Sequence, residues 1–159
     1  MTTLAQVRVA LVDLVSAVDG AGIVHPCEPY AKTNAAFQAL YGWDDGEGNT
    51  QLRGCFWRVV RIQEQTLSLG RVLNIFTWRL KRFMALNTGG SELEFDDVTE
   101  SIRAAYRLNE TLGDLVQPGP LGETTGFQLV DSTPVMFAGV LCHSATLQLT
   151  TYAYLNSGE

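Results

Sequence analysis

Residues 55–84 read CFWRVVRIQEQTLSLGRVLNIFTWRLKRFM, and this stretch decides the fold. Two runs of alternating apolar and polar residues flank Ser68-Leu69-Gly70, a three-residue loop with glycine at the position that favours positive φ. The pattern predicts one long β-hairpin, because successive side chains of a strand point to opposite faces.

Pairing the two arms in one register separates two predicted faces. The apolar face collects Phe56, Val60, Ile62, Phe76, Trp78 and Leu80, with Arg58 as its exception. The basic face collects Trp57, Val59, Arg61, Gln63, Thr77, Arg79 and Lys81. We expect the first face to bury against a core. The second keeps a tryptophan among its charges, so we expect another surface to cover it.

Charge is distributed unevenly along the 159 residues. The chain has 11 basic and 17 acidic residues and a net charge of −6, which argues against nucleic acid as its main partner. Seven basic residues and one acidic residue lie at positions 53–82, so this segment carries +6 and the remainder −12. The basic sheet is expected to attract an acidic surface, either its own helix or a neighbouring copy. Charged residues make up only 18%, which indicates surface hidden against partners.

Two helices are predicted on either side of the hairpin. The spacing of Leu4, Val7, Leu11, Leu14 and Val18 predicts a helix over residues 3–18. An acidic patch at Glu92, Glu94, Asp96 and Asp97 precedes a second helical stripe over residues 95–112, with Gly113 as its C-terminal cap. Residues 34–41 are compatible with a helical turn or two, and residues 44–49 with a loop.

The remaining strands complete the predicted sheet. Pro26 and Pro29 limit residues 22–25 to a short edge strand. Residues 115–125 predict an exposed loop, residues 127–130 a strand and residues 131–134 a turn. Residues 135–154 predict a strand kinked at Gly139, whose alternating part spans roughly 50 Å and needs the hairpin arms as a partner. The chain is therefore predicted to form a single α+β domain over residues 1–159, with a mixed or antiparallel sheet built on a long hairpin and flanked by about two α-helices.

Catalytic and metal-binding patterns are weak in this sequence. A zinc site would have to join His25 and Cys27 to Cys142 and His143, and adjacent strand residues point to opposite faces. There is no G-x-S-x-G elbow and no phosphate loop. We expect no enzyme activity, no cofactor and no metal. An odd count of three cysteines favours a cytosolic protein without a disulfide framework, and we expect neither a signal peptide nor a membrane helix.

The order of these elements resembles the tail terminator proteins of long-tailed bacteriophages, a family of tail-completion and head–tail joining proteins. The likeness extends over nearly the whole chain and includes the hairpin segments Trp57-Arg58-Val59-Val60-Arg61 and Phe76-Thr77-Trp78-Arg79-Leu80. It implies a structural virion protein that forms a hexameric ring, caps the tail tube, stops its polymerisation and provides the head-docking surface.

The resemblance also implies partners and a location. The partners would be further copies of the chain, the tail tube protein and the head or neck connector protein, with genomic DNA only passing through the channel and no membrane. The location would be the head-proximal end of the tail in the virion, and the host cytoplasm during assembly. A head-completion or neck connector protein of the same particle is an alternative, and a small nucleic-acid-binding module is an alternative of another class.

A subunit interface is the site that we expect. On the basic side it would use Trp57, Arg61, Arg79, Lys81 and Arg82, and on the acidic side Glu94, Asp96 and Asp97. In such a ring, the basic sheet of one copy would meet the acidic helix start of the next.

Overall fold

A computed structural model describes residues 2–119 and 125–156, the last of them by its backbone only. The helices are α1 (Leu4–Ser16), α2 (Asn34–Leu40) and α3 (Ser91–Leu108). The strands are β1 (Ile23–His25), β2 (Gly42–Asp44), β3 (Thr50–Ser68), β4 (Arg71–Ala85), β5 (Gln128–Phe137) and β6 (Val140–Asn156). The strands form one mixed sheet in the order β1-β3-β4-β6-β5, with β2 also paired to β3. The predicted α+β class is confirmed, with three helices in place of about two.

The long hairpin is present, and its turn is tighter than predicted. β3 and β4 are antiparallel, and Ser68 still pairs with Arg71. The turn therefore consists of Leu69 and Gly70 alone, with Gly70 at φ 78. Leu67 is the extra residue of a β-bulge beside the turn, which supplies the third residue of the predicted loop.

The predicted faces of β3 are wrong between Cys55 and Val60. Val59 pairs with Trp78 and Arg61 pairs with Thr77, which leaves Val60 as the extra residue of a second bulge. A shift of one residue exchanges the two faces of a strand. The bulge cannot be recognised from the sequence, because either Val59 or Val60 can serve as the apolar residue of an alternating pattern.

The bulge sorts the side chains into two faces, which we name the core face and the open face. On the core face, Trp57 pairs with Leu80 and both are fully buried beneath α1 and α3. On the open face, Phe56 pairs with Lys81. The even-numbered residues of β4 from 76 to 82 lie on the core face. The predicted burial of Phe76, Trp78 and Leu80 on one face of this arm is therefore confirmed.

The last two strands form a second hairpin, and the turn predicted at residues 131–134 is wrong. β5 runs on to Phe137, and the turn is Ala138-Gly139, at φ 52 and 78. Pro134 is tolerated within β5 because this strand is an edge of the sheet, where a missing N–H costs no ladder bond. β6 pairs with the whole of β4, as its length requires, and its predicted alternation is confirmed from His143 to Ala153.

The helix boundaries follow local capping. Thr3 caps α1 through a capping box with Gln6. α3 begins at Ser91, so the acidic patch lies inside its first turns rather than before it, and it ends at Leu108 rather than near Gly113. In the predicted exposed loop, residues 120–124 lie outside the described residues. Its earlier part is anchored, because Val116 is buried and the Gln117 N–H donates to the Tyr152 carbonyl at 2.7 Å.

Hydrophobic packing covers the two faces of the sheet unequally. The core face carries the main cluster, in which Val7 and Leu11 of α1 and Ile102 of α3 pack against the two buried tryptophans. The open face carries a smaller aromatic cluster around Tyr41 and Phe83, against which Leu40 of α2 packs. Within residues 2–119 and 125–156, the part of the open face around Arg58, Arg79 and Lys81 is an open concave surface, and this is where the candidate site lies.

Candidate assembly surface

The uncovered part of the open face forms a concave surface of about 700 Å³, which we name the cationic groove. Its charged members are Arg58, Arg79, Lys81 and, at the rim, Glu28. Its apolar members are Phe56, Val60, Phe83, Val135, Met136 and Phe137, and Val59 borders it at the bulge although its side chain packs against the core-face cluster. Of these, Val60 and Met136 are exposed, whereas Phe56 and Phe83 are buried in the aromatic cluster. Exposed apolar side chains beside charged ones are typical of a protein-binding surface.

The cations of the groove are held together by the register of the sheet. Arg58 lies directly opposite Arg79 on the neighbouring strand. Like charges at such positions repel each other and destabilise the sheet. Glu28 approaches Arg58 at 3.5 Å, but both side chains are more than half exposed, so this ion pair is weak in water. The groove therefore carries unbalanced positive charge.

Three residues of the predicted basic side do lie together. Arg61 is on the open face because it pairs with Thr77, and it is exposed one step beyond the groove. Arg79 donates from Nε to Gln148 Oε1 at 3.2 Å, and Lys81 lies 6.0 Å from the Phe83 ring centroid. These contacts orient the Arg79 and Lys81 side chains on the open face, and among the described residues neither cation forms an ion pair.

Trp57 and Arg82 do not belong to this surface, which corrects their assignment to a subunit interface. Both are buried on the core face, at 0% and 2% exposed. Arg82 donates to the Thr99 hydroxyl and lies over the Phe95 ring at 4.4 Å. Burial lowers the pKa of Arg82 to about 10. The two residues fix α3 on the sheet rather than contacting solvent.

The acidic residues predicted for the interface also fall into two groups, one paired within the subunit and one exposed to solvent. Glu94 accepts a hydrogen bond from Arg53 at 2.8 Å, so for this residue the basic sheet meets its own helix. Asp96 and Asp97 are exposed on α3, which packs on the core face. They lie across the sheet from the cationic groove, and they cannot reach Arg79 or Lys81 of the same subunit. A contact between these groups requires a second copy.

The edges of the sheet are poorly suited to adding strands from another copy. β1 pairs with only three residues of β3, and within the described residues the outer edge of β3 beyond Phe56 has no strand partner. Bulges at Val60 and Leu67 interrupt that edge, and Val130 and Pro134 interrupt the β5 edge. Bulges and proline block edge-to-edge pairing. Contacts between copies are therefore expected to use side chains.

Cys142 and His143, which a zinc site would have to combine, lie on opposite faces of the sheet. Cys142 packs in the open-face cluster, whereas His143 contacts the Ser91 hydroxyl at 2.7 Å on the opposite face. Within residues 2–119 and 125–156, no three potential ligands are grouped to hold a metal ion. Trp57, the aromatic residue predicted among the cations of the basic face, is fully buried. None of the described helices has the length and apolarity to span a bilayer.

The sequence pattern did not predict several residues that line the groove. Val135, Met136 and Phe137 reach it because β5 continues past Pro134, and Glu28 reaches it from the segment after β1. The dipeptide Ala138-Gly139 could have indicated this part of the groove, since a turn there places Phe137 beside β6.

No protein-family model matches this chain, and no curated protein matches its sequence.

Proposed function

We propose that this chain is a structural subunit that assembles into a ring and serves as the tail terminator of a long-tailed bacteriophage. The observation that carries the proposal is the placement of opposite charges on opposite sides of one sheet. The cationic groove and the exposed acids of α3 complement each other but cannot meet within a subunit. A contact between two different surfaces of identical copies is heterologous, and it closes into a ring when the rotation permits.

The terminator role rests on the resemblance in length and element order. A ring with one face that matches the last tube ring and another that offers no site for tube subunits would end tube growth sterically. The same outer face would then receive the head or neck connector protein. No covalent chemistry is needed for this role, so the relevant quantities are the size and the affinity of the assembly.

Charge reversal tests the assembly step. The variant Arg79→Glu/Lys81→Glu should assemble more weakly than the original chain in sedimentation or light scattering over a range of concentrations. A second reversal, Glu92→Lys/Asp97→Lys, should restore assembly when it is combined with the first. Both of these acids are exposed on α3, and Glu94 is left intact because it pairs with Arg53. Normal assembly of the first variant would contradict the interface.

The control is Lys32→Glu/Arg107→Glu, which makes the same change in net charge at two exposed positions outside the groove. It should assemble like the original chain. Electron microscopy then tests the terminator role itself: we expect rings with a central channel wide enough for duplex DNA, and tail tubes that stop growing when the chain is added. Rings that leave tube growth unchanged would favour a neck connector instead.

A further inference from the structure

The tip of the β3–β4 hairpin is unusually apolar for a turn. Leu69 is fully exposed, with a relative exposure of 105%, and Leu67 is 45% exposed. Tight turns normally carry Gly, Asn, Asp, Ser or Pro because these residues satisfy the turn geometry and tolerate water. Two leucines at the outermost point of a long ribbon therefore expose apolar surface without any benefit to the turn.

A second apolar surface lies on the outer side of α1. It is a groove of about 440 Å³ lined by Ala5, Gln6, Val9, Ala10, Asp13 and Leu115, which we name the α1 groove. Val9 is 60% exposed there. The opposite side of α1 carries Val7, Leu11 and Val15, which are fully buried. A helix that is apolar on both sides is normally covered on both sides.

We propose that the hairpin tip of one copy inserts Leu67 and Leu69 into the α1 groove of a neighbouring copy. Charge agrees with this choice of occupant. Asp13 is exposed at the groove, and Arg71 is the residue directly after the turn, where it lies over the Tyr154 ring at 4.4 Å. An apolar knob followed by a cation thus matches an apolar groove bordered by a carboxylate.

The tip is exposed in the subunit, so it does not fill its own α1 groove. Knob and groove are different surfaces of the same chain, and their contact is heterologous like the contact of the cationic groove. The inference rests on the proposed self-assembly, but it uses different residues from those of the cationic groove. It can therefore fail while the charge-dependent contact stands.

Disulfide trapping provides the direct test. In a chain with the exposed Cys27 changed to serine, Leu69→Cys and Val9→Cys should form covalently linked oligomers on mild oxidation under assembling conditions. The matched control pairs Leu69→Cys with Leu93→Cys, an exposed leucine on α3. Cross-linking of the control to the same extent would overturn the proposal, as would assembly without cross-linking of the test pair.

A substitution gives the second measurement. Leu69→Glu should weaken assembly about tenfold or more, as expected for an apolar anchor. Leu108→Glu, at another exposed leucine, should leave it unchanged. Asp13→Arg should weaken assembly, and Arg71→Asp should restore it. If Leu69→Glu assembles normally while Arg79→Glu/Lys81→Glu does not, the tip contact is wrong and the proposed function stands. Failure of the unaltered chain to assemble under any condition would overturn both.

Discussion

The Arg53 guanidinium donates a hydrogen bond to the Glu94 carboxylate at 2.8 Å, joining β3 to the first turn of α3. The two partners differ in environment, since the Arg53 side chain is 3% exposed and that of Glu94 is 55% exposed. Arg53 also donates to the Gly20 carbonyl at 3.2 Å and lies over the Trp43 ring at 4.3 Å. The arginine is therefore the structural centre of this contact.

This asymmetry predicts unequal effects on stability. Arg53→Ala should lower the free energy of unfolding by about 1–3 kcal/mol, because it removes buried packing and two hydrogen bonds. Glu94→Gln should cost less than about 1 kcal/mol, because water already screens the exposed carboxylate. Urea titrations of the two variants measure the difference. Equal losses would mean that the ion pair itself dominates.

The two fully buried tryptophans offer a matched pair for hydrogen bonding. Trp78 donates from Nε1 to the Thr151 hydroxyl at 3.0 Å, whereas Trp57 Nε1 has no acceptor among the described residues. Trp78→Phe should therefore destabilise more than Trp57→Phe, by about 1 kcal/mol, the typical net contribution of one hydrogen bond. Thermal and urea unfolding of both variants check this. The prediction fails if Trp57→Phe is the costlier change.

The bulge at Val60 can be tested by deletion. Removing Val60 leaves the pairs on both sides of it unchanged and turns the interrupted ladder into a regular one. We expect a folded protein with near-original near-ultraviolet circular dichroism. Removing Arg79 from the regular strand β4 is the control, because it forces Trp78 or Leu80 to the wrong face. That deletion should abolish cooperative unfolding. Similar outcomes for the two deletions would contradict the register.

Alkaline pH should destabilise the protein through its buried thiols. Burial raises the pKa of Cys55 from 9.0 to about 12, and burial raises that of Cys142 to about 11. The folded state thus keeps protons that the unfolded state releases above about pH 9. The stabilisation is complete below that pH and falls as pH rises, by about 1 kcal/mol per pH unit for each thiol.

The measurement compares urea midpoints at about pH 8 and about pH 10. Cys55→Ala/Cys142→Ala should flatten the pH dependence, whatever its effect on absolute stability. The buried Tyr106, whose pKa burial raises to about 12, adds a similar loss above about pH 10 and should remain in this variant. A thiol reagent should modify only the exposed Cys27 in the native state and all three cysteines in urea. An unchanged slope would show that the thiols do not contribute.

Periodicity in the sequence was enough for the elements whose pattern is local. The alternation of β6 and the 3-4 spacing of α1 both follow from one face being buried. The length of β6 also predicted its pairing with the hairpin, because an unpartnered strand of that length would leave its backbone unpaired. The prediction of a turn at residues 131–134 was wrong because proline usually interrupts a strand. Pro134 is tolerated only because β5 lies at an edge of the sheet.

The sequence by itself determined the α+β class, the long hairpin, the long last strand and the concentration of positive charge between residues 53 and 82, because these depend on composition and on periods of two or 3.6. Only the tertiary structure decided which cations face solvent. A single extra residue at Val60 sends Trp57 inward, while Arg53 and Arg82 bind α3 and Arg58, Arg61, Arg79 and Lys81 remain outside. The physical reason is that a bulge moves every residue before it to the other face of the strand, while the alternation of apolar and polar residues in the sequence hardly changes. Only packing against the helices decides which of the two registers forms.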